Sequence, residues 1–253
     1  MTLTSKKYLS FFILLLLLFH YSKAAVATRQ ITNQVLTWTR LTNTLQIDSH
    51  WAIYTEADNR VLDNPPKENQ VVLRLMARYT FKSGITIGAG YVSVFNFPND
   101  PNFKSNLMIP ELRPSVDVTF RQLLKKVTLY HRSVLENRFT CNASSTELKP
   151  GFTYTFRYRY RLQADFLLWK NNSSSVKFVL SDELIFQMGK TIVYNVFDQN
   201  RIYAAFNYEP LKWLGFEAGY LHLFQQRNTG VDFYSRHVFR FSIHTKIFLK
   251  HKY

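Results

Sequence analysis

The sequence predicts an all-β chain: a single antiparallel transmembrane β-barrel of about ten strands, with twelve as the alternative, around a polar, charged lumen. Three observations predict it. Apolar and charged residues alternate at period two along many segments, and successive side chains of a strand point to opposite faces. The charged face carries arginines and carboxylates in strand after strand, the pattern of a polar lumen inside an apolar exterior. Connections alternate between short and long, as in barrels with tight turns at one rim and longer loops at the other. A soluble periplasmic sandwich or lipocalin-like binder uses the same alternation and is the alternative architecture.

The elements follow in order. Residues 1–24 have the form of a signal peptide: Lys6 and Lys7, an apolar run over 8–19, and a cleavage site after Ala24 or Ala27. The run is short for the roughly 20 residues that span a bilayer, and nothing after it is continuously apolar enough for a transmembrane helix. Residues 25–44 are expected as an N-terminal segment, with 34–40 plugging the lumen or pairing at the rim, and 45–253 as the barrel. The first barrel strand is expected over 45–58, with Leu45, Trp51 and Ile53 against Gln46, Tyr54 and Glu56. A long polar loop over 59–70 follows, then a strand over 71–81. The Lys82-Ser83-Gly84 turn leads into 85–96.

After a loop rich in Asn, Asp and Pro over 97–107 comes a hairpin of strands at 109–122 and 126–139. In its first strand Leu112, Val116, Val118 and Phe120 oppose Glu111, Arg113, Asp117 and Arg121. In its second, His131 and Ser133 share a face with Leu129, Leu135 and Phe139, opposite Arg132, Glu136 and Arg138. A loop over 140–150 precedes the clearest strand, 152–165, where Phe152, Tyr154, Phe156, Tyr158 and Tyr160 alternate with Arg157, Arg159 and Arg161. Further strands are expected at 176–188, 201–209, 214–226 and 236–249. An even count places both ends of the barrel at the periplasmic rim. The twelve-strand alternative takes residues 25–42 as two more strands. The final segment puts Phe239, Phe241, Ile243, Ile247, Leu249 and Tyr253 on one face, which resembles the C-terminal signal read by the outer-membrane assembly machinery.

Composition narrows the function classes. With 8 Gly and 8 Pro in 253 residues the chain is neither disordered nor collagen-like. The net charge is +15, and removing Lys6, Lys7 and Lys23 with the leader lowers it by three to +12. These charges are spread over strands rather than gathered in one arm, which points away from nucleic acid and towards anionic lipid and lipopolysaccharide headgroups. Cys141 is the single cysteine, so the chain has neither an internal disulfide nor a thiol metal cluster. No nucleotide fingerprint or zinc spacing is present, and no cofactor is expected. The acceptor motifs at Asn142 and Asn172 serve to mark exposed loops.

The chain resembles the Gram-negative outer-membrane barrel family called domain of unknown function 2490. The resemblance rests on Trp38-Thr39-Arg40-Leu41, Glu56 with Arg60, Glu111-Leu112-Arg113-Pro114, His131-Arg132 with Glu136 and Arg138-Phe139, and Asp198-Gln199-Asn200-Arg201, in that order. It implies an outer-membrane barrel of unassigned function and carries over no catalytic residue. The arginine-rich strand at 152–161 departs from the family pattern.

Two constellations are candidate sites. The first is the lumen: Arg74, Glu111, Arg113, Arg132, Glu136, Arg138, Arg157 and Arg159, joined by Glu56, Arg78, Asp117, Arg121, Arg161, Glu183, Arg201 and Glu209. Buried charges must be paired, so a salt-bridged core is one reading. An arginine-lined pore or pocket for a small anionic solute is the other, because arginine outnumbers carboxylate. The second is His131 with Ser133, which resembles the His-x-Ser arrangement of outer-membrane phospholipase A and would make the outer surface a lipid hydrolase. Asn137 is too far along the strand to orient His131, and the glycine context is missing. Together these residues point to a non-enzymatic outer-membrane barrel, structural, transporting or ligand-binding.

Overall fold

The computed structural model describes residues 29–192 and 195–249. The expected signal peptide and the terminal Tyr253 lie outside the described residues. From Ile31 onward the chain is one unit built of eleven strands. They are β1 (Ile31–Gln46), β2 (Trp51–Asp63), β3 (Pro66–Thr80), β4 (Ile85–Asn96), β5 (Ile109–Leu124), β6 (Val127–Ala143), β7 (Leu148–Lys170), β8 (Ser175–Met188), β9 (Phe197–Leu211), β10 (Leu214–Gln226) and β11 (Phe233–Phe248). Each strand pairs antiparallel with the next in sequence, and β1 closes the ring by pairing parallel with β11.

Eleven strands correct the expected ten and the alternative twelve. The segment at 34–40 is neither plug nor rim strand; it is the middle of β1 and seals the barrel along sixteen residues, from Ile31 opposite Phe233 to Gln46 opposite Phe248. The single strand expected over 45–58 is broken by a turn at 47–50. That turn contains neither glycine nor proline; the Asp48 carboxylate holds it by accepting the His50 and Trp51 backbone N–H groups, each at 2.7 Å. The long loop expected over 59–70 is a two-residue turn at 64–65, and that over 140–150 shrinks to 144–147.

The odd count has a geometric consequence. β1 and β11 run in the same direction, so Ile31 and Phe248 stand at opposite rims, correcting the expectation that both ends share one rim. The connections at 47–50, 81–84, 125–126, 171–174 and 212–213 form a short-turn rim. The opposite rim carries the longer connections at 97–108, 189–196 and 227–232, along with those at 64–65 and 144–147. At the short-turn rim Gly84 turns with φ +84°, as its turn signal implied.

Period-two alternation divides the two faces. The outer face exposes large apolar side chains at mid-strand, among them Leu75 (55% exposed), Phe206 (61%) and Phe241 (52%). The inner face holds the charges, with Glu56, Asp58, Glu111, Arg113, Asp117, Arg132, Glu136, Arg157, Arg159 and Glu183 all buried. Closure leaves no unpaired sheet edge. Barrel diameter grows with strand number, and eight strands give an interior that side chains just fill, so eleven leave a cavity.

Candidate functional site: an arginine-lined cavity

The inward positions of β5, β6 and β7 are two residues apart, and the register sets one strand's arginines against the next strand's carboxylates. Glu111 accepts from Arg113 Nε at 2.5 Å and from Arg138 Nε at 2.5 Å. Glu136, with no exposed surface, accepts from Arg157 Nε at 2.7 Å and from Arg159 Nη1 at 2.9 Å. Arg159 also reaches Glu183 at 2.9 Å, and Arg201 approaches the same carboxylate at 3.4 Å. Arg132 donates to Asp117 through Nε at 3.1 Å and through Nη2, while Arg78 lies 3.6 Å from that carboxylate. Arg74 is 3.8 Å from Glu56, which also accepts from the Tyr54 hydroxyl at 2.7 Å.

Arginine suits these positions because its planar guanidinium engages two acceptors and stays charged when partly desolvated. Gly88 shapes the wall too: a Cβ there would lie 2.4 Å from Asp117 Oδ1, so only glycine lets that carboxylate lean towards Arg132 and Arg78. The register shift between Ile185 and Phe186 leaves Asp198 outside the ladder, and its carboxylate turns inward to meet Arg157 Nη1 at 3.3 Å.

The lumen encloses a cavity of about 990 Å³. Its lining among the described residues contains fourteen arginines and four carboxylates, Glu56, Glu111, Glu183 and Asp198. Asp58, Asp117, Glu136 and Glu217 are ion-paired but do not line the cavity. Among the charged groups that meet the open space, guanidinium therefore predominates. On the β9–β11 and β1 side the wall is apolar, with Leu36, Trp38, Tyr203, Leu221 and Leu223 buried together. Arg60 stacks over Trp38 at 4.0 Å and Arg240 over Tyr203 at 3.6 Å.

The 97–108 loop folds across the long-loop mouth. Asn99 is its anchor: its carbonyl accepts from Gln34 Nε2 at 2.7 Å, and its side-chain oxygen accepts from Asn69 at 3.0 Å and Arg236 Nη2 at 2.7 Å. The other Arg236 nitrogens donate to Gln34 and Gln225, each at 2.8 Å.

All eight lumen residues named first from sequence (Arg74, Glu111, Arg113, Arg132, Glu136, Arg138, Arg157 and Arg159) belong to this network. Arg121 does not; it is exposed at the short-turn rim. Glu209 sits near the same rim against Lys177 at 2.8 Å. Sequence reasoning left Arg40, Asp58, Arg60, Asp198, Glu217, Arg236 and Arg240 out of the lumen set, although Arg40, Arg60 and Asp198 stand among the residues that carry the family resemblance. The alternation of β11 already pointed Arg236 and Arg240 inward, whereas Asp198 depends on a bulge that no local pattern marks.

His131 and Ser133 lie on the outer face, and each is engaged by a tyrosine of β7: His131 Nδ1 with Tyr160 OH at 2.9 Å, Ser133 Oγ with Tyr158 OH at 3.2 Å. The Ser–His contact on that face is cross-strand instead, Ser235 Oγ to His222 Nε2 at 3.1 Å. Trp51, Trp169 and Trp213 stand about half exposed near the short-turn rim, while Trp38 is inside. Among the described residues no group of three or more His, Cys, Asp or Glu is arranged to hold a metal ion.

The family model described as Protein of unknown function (DUF2490) matches residues 36–234, from β1 into β11. No curated protein and no solved structure matches the chain. The chain belongs to the DUF2490 family.

Proposed function

We propose that this DUF2490 member is an outer-membrane barrel whose arginine-lined lumen takes up small anionic solutes, in a transport or binding role without catalysis. The observation that carries the reading is the lining of fourteen arginines against four carboxylates. Inside a lumen of reduced dielectric such an excess attracts phosphate or carboxylate groups and repels cations. The membrane part is supported by the apolar outer face, by closure of the sheet and by tryptophans at one rim, where amphipathic rings favour a membrane–water interface. Its neighbours there are lipid and lipopolysaccharide, and its route is the signal peptide and the assembly machinery.

Two measurements test this. Carbonate washing is expected to leave the protein in the membrane fraction, and detergent to extract it as a species whose gel mobility shifts on heating. In planar bilayers under a salt gradient, the reversal potential is expected to carry the anion-selective sign. Release into plain buffer would overturn the membrane reading, and a cation-selective sign would overturn the lumen reading.

A further inference from the structure

Arg132 on β6 and Arg161 on β7 are direct cross-strand partners, and both side chains line the cavity. Like charges placed directly opposite repel. Arg132 is compensated by Asp117. Arg161 is not: among the described residues it makes no ion pair within 4 Å, and its Nε is sealed from solvent without a hydrogen-bond partner. Its other cross-strand partner is Glu183, whose carboxylate is engaged by Arg159 and Arg201. Continuing the same row away from Arg161, Arg132 lies opposite Thr119 and Thr119 opposite Thr86, and both threonines line the cavity.

We infer that the Arg132–Arg161 pair is the lumen's anion-binding site, specific for a phosphate-type dianion and bordered by the Thr119 and Thr86 hydroxyls. This deepens the arginine-lumen reading and rests on it. A tetrahedral oxyanion supplies what the pair lacks. One oxygen accepts from Arg161 and a second from the free donors of Arg132, which turns a repulsive pair into two charge-assisted contacts. A halide offers a single centre and no second oxygen, so phosphate is favoured over chloride. The cavity of about 990 Å³ has room for the group either free or carried on a small polyol.

The test uses the full-length, detergent-extracted barrel, titrated calorimetrically with inorganic phosphate and with glucose 6-phosphate at constant chloride. Arg161→Gln is compared with the parent and with Arg121→Gln, a charge removed outside the lumen. The parent and Arg121→Gln are expected to bind, and Arg161→Gln to bind at least tenfold more weakly. In phosphate-free buffer Arg161→Gln is expected to keep or raise the temperature of the heat-shift transition, because it removes an uncompensated charge; phosphate then adds stability to the parent and to Arg121→Gln, and far less to Arg161→Gln. Preference for the free ion or the ester identifies the natural source. Equal affinity in parent and Arg161→Gln overturns this site while the anionic lumen stands. A parent that selects anions in bilayers yet binds neither probe also overturns the site alone. Loss of both selectivity and binding removes the lumen reading as well.

Discussion

Glu136 is a carboxylate with no exposed surface, held between the guanidiniums of Arg157 and Arg159. Removing one partner of a buried pair leaves charge behind at a cost of roughly 3–5 kcal/mol. Here the lower end applies, because Arg157 keeps Asp198 and Arg159 keeps Glu183. Glu136→Gln is therefore expected to lower stability by about 3 kcal/mol, read as an earlier urea midpoint of the heat-shifted gel form. Lys177→Gln, which breaks a far more exposed pair with Glu209, is expected to cost less than about 1 kcal/mol. Which residues face inward was legible at this scale, because alternation reports the face of Glu136, Arg157 and Arg159 directly. Which arginine meets which carboxylate was not. Glu183 lies opposite Arg161 in the ladder but bonds Arg159, a diagonal choice made by side-chain reach rather than by sequence spacing.

Among the elements, β1 and the 97–108 loop decide the shape of the cavity. β1 was hard to read as a barrel strand because its outer positions include Thr37, Thr39 and Asn43 among the apolar ones, so half of the alternation signal is muted. The turn after it is set by the Asp48 carboxylate, without the glycine or proline that usually marks a strand end. The hairpin of β5 and β6, by contrast, is legible almost to its ends, since its inner face carries Glu111, Arg113, Asp117, Arg132, Glu136 and Arg138 and the outer face of β5 is apolar at Leu112, Val116, Val118 and Phe120. The loop makes its own prediction. Asn99 is its tie to β1, β3 and β11, so Asn99→Ala is expected to free the mouth. Single-channel recordings would then show higher or less interrupted conductance with unchanged ion preference. Unchanged records would mean that the loop does not control entry.

For the whole molecule, the parallel pairing of β1 with β11 fixes a topology that labelling can check. In a Cys141→Ser background, Ile31→Cys and Asp100→Cys lie at the long-loop rim and Phe248→Cys at the other. An impermeant maleimide applied to intact cells is expected to react with the first two together and not with the third. Reaction of Ile31→Cys and Phe248→Cys from one side would mean that the ring closes with an even number of strands.

That same seam governs how the molecule comes into being. Its contacts join residues about two hundred positions apart, such as Thr42 Oγ1 with His244 Nδ1 at 2.7 Å, a separation of 202. Contacts so distant in sequence form slowly, because the entropy of closing the loop is lost before the contact stabilises anything. The other ten pairings join consecutive strands and can zip from their turns as the chain emerges. Without the β1–β11 pairing the sheet would be an open ribbon with two bare edges, and its arginine wall would have no facing wall. Closure of β1 onto β11 is therefore expected to be the slow step, and it makes the cavity and removes the last edges in a single event.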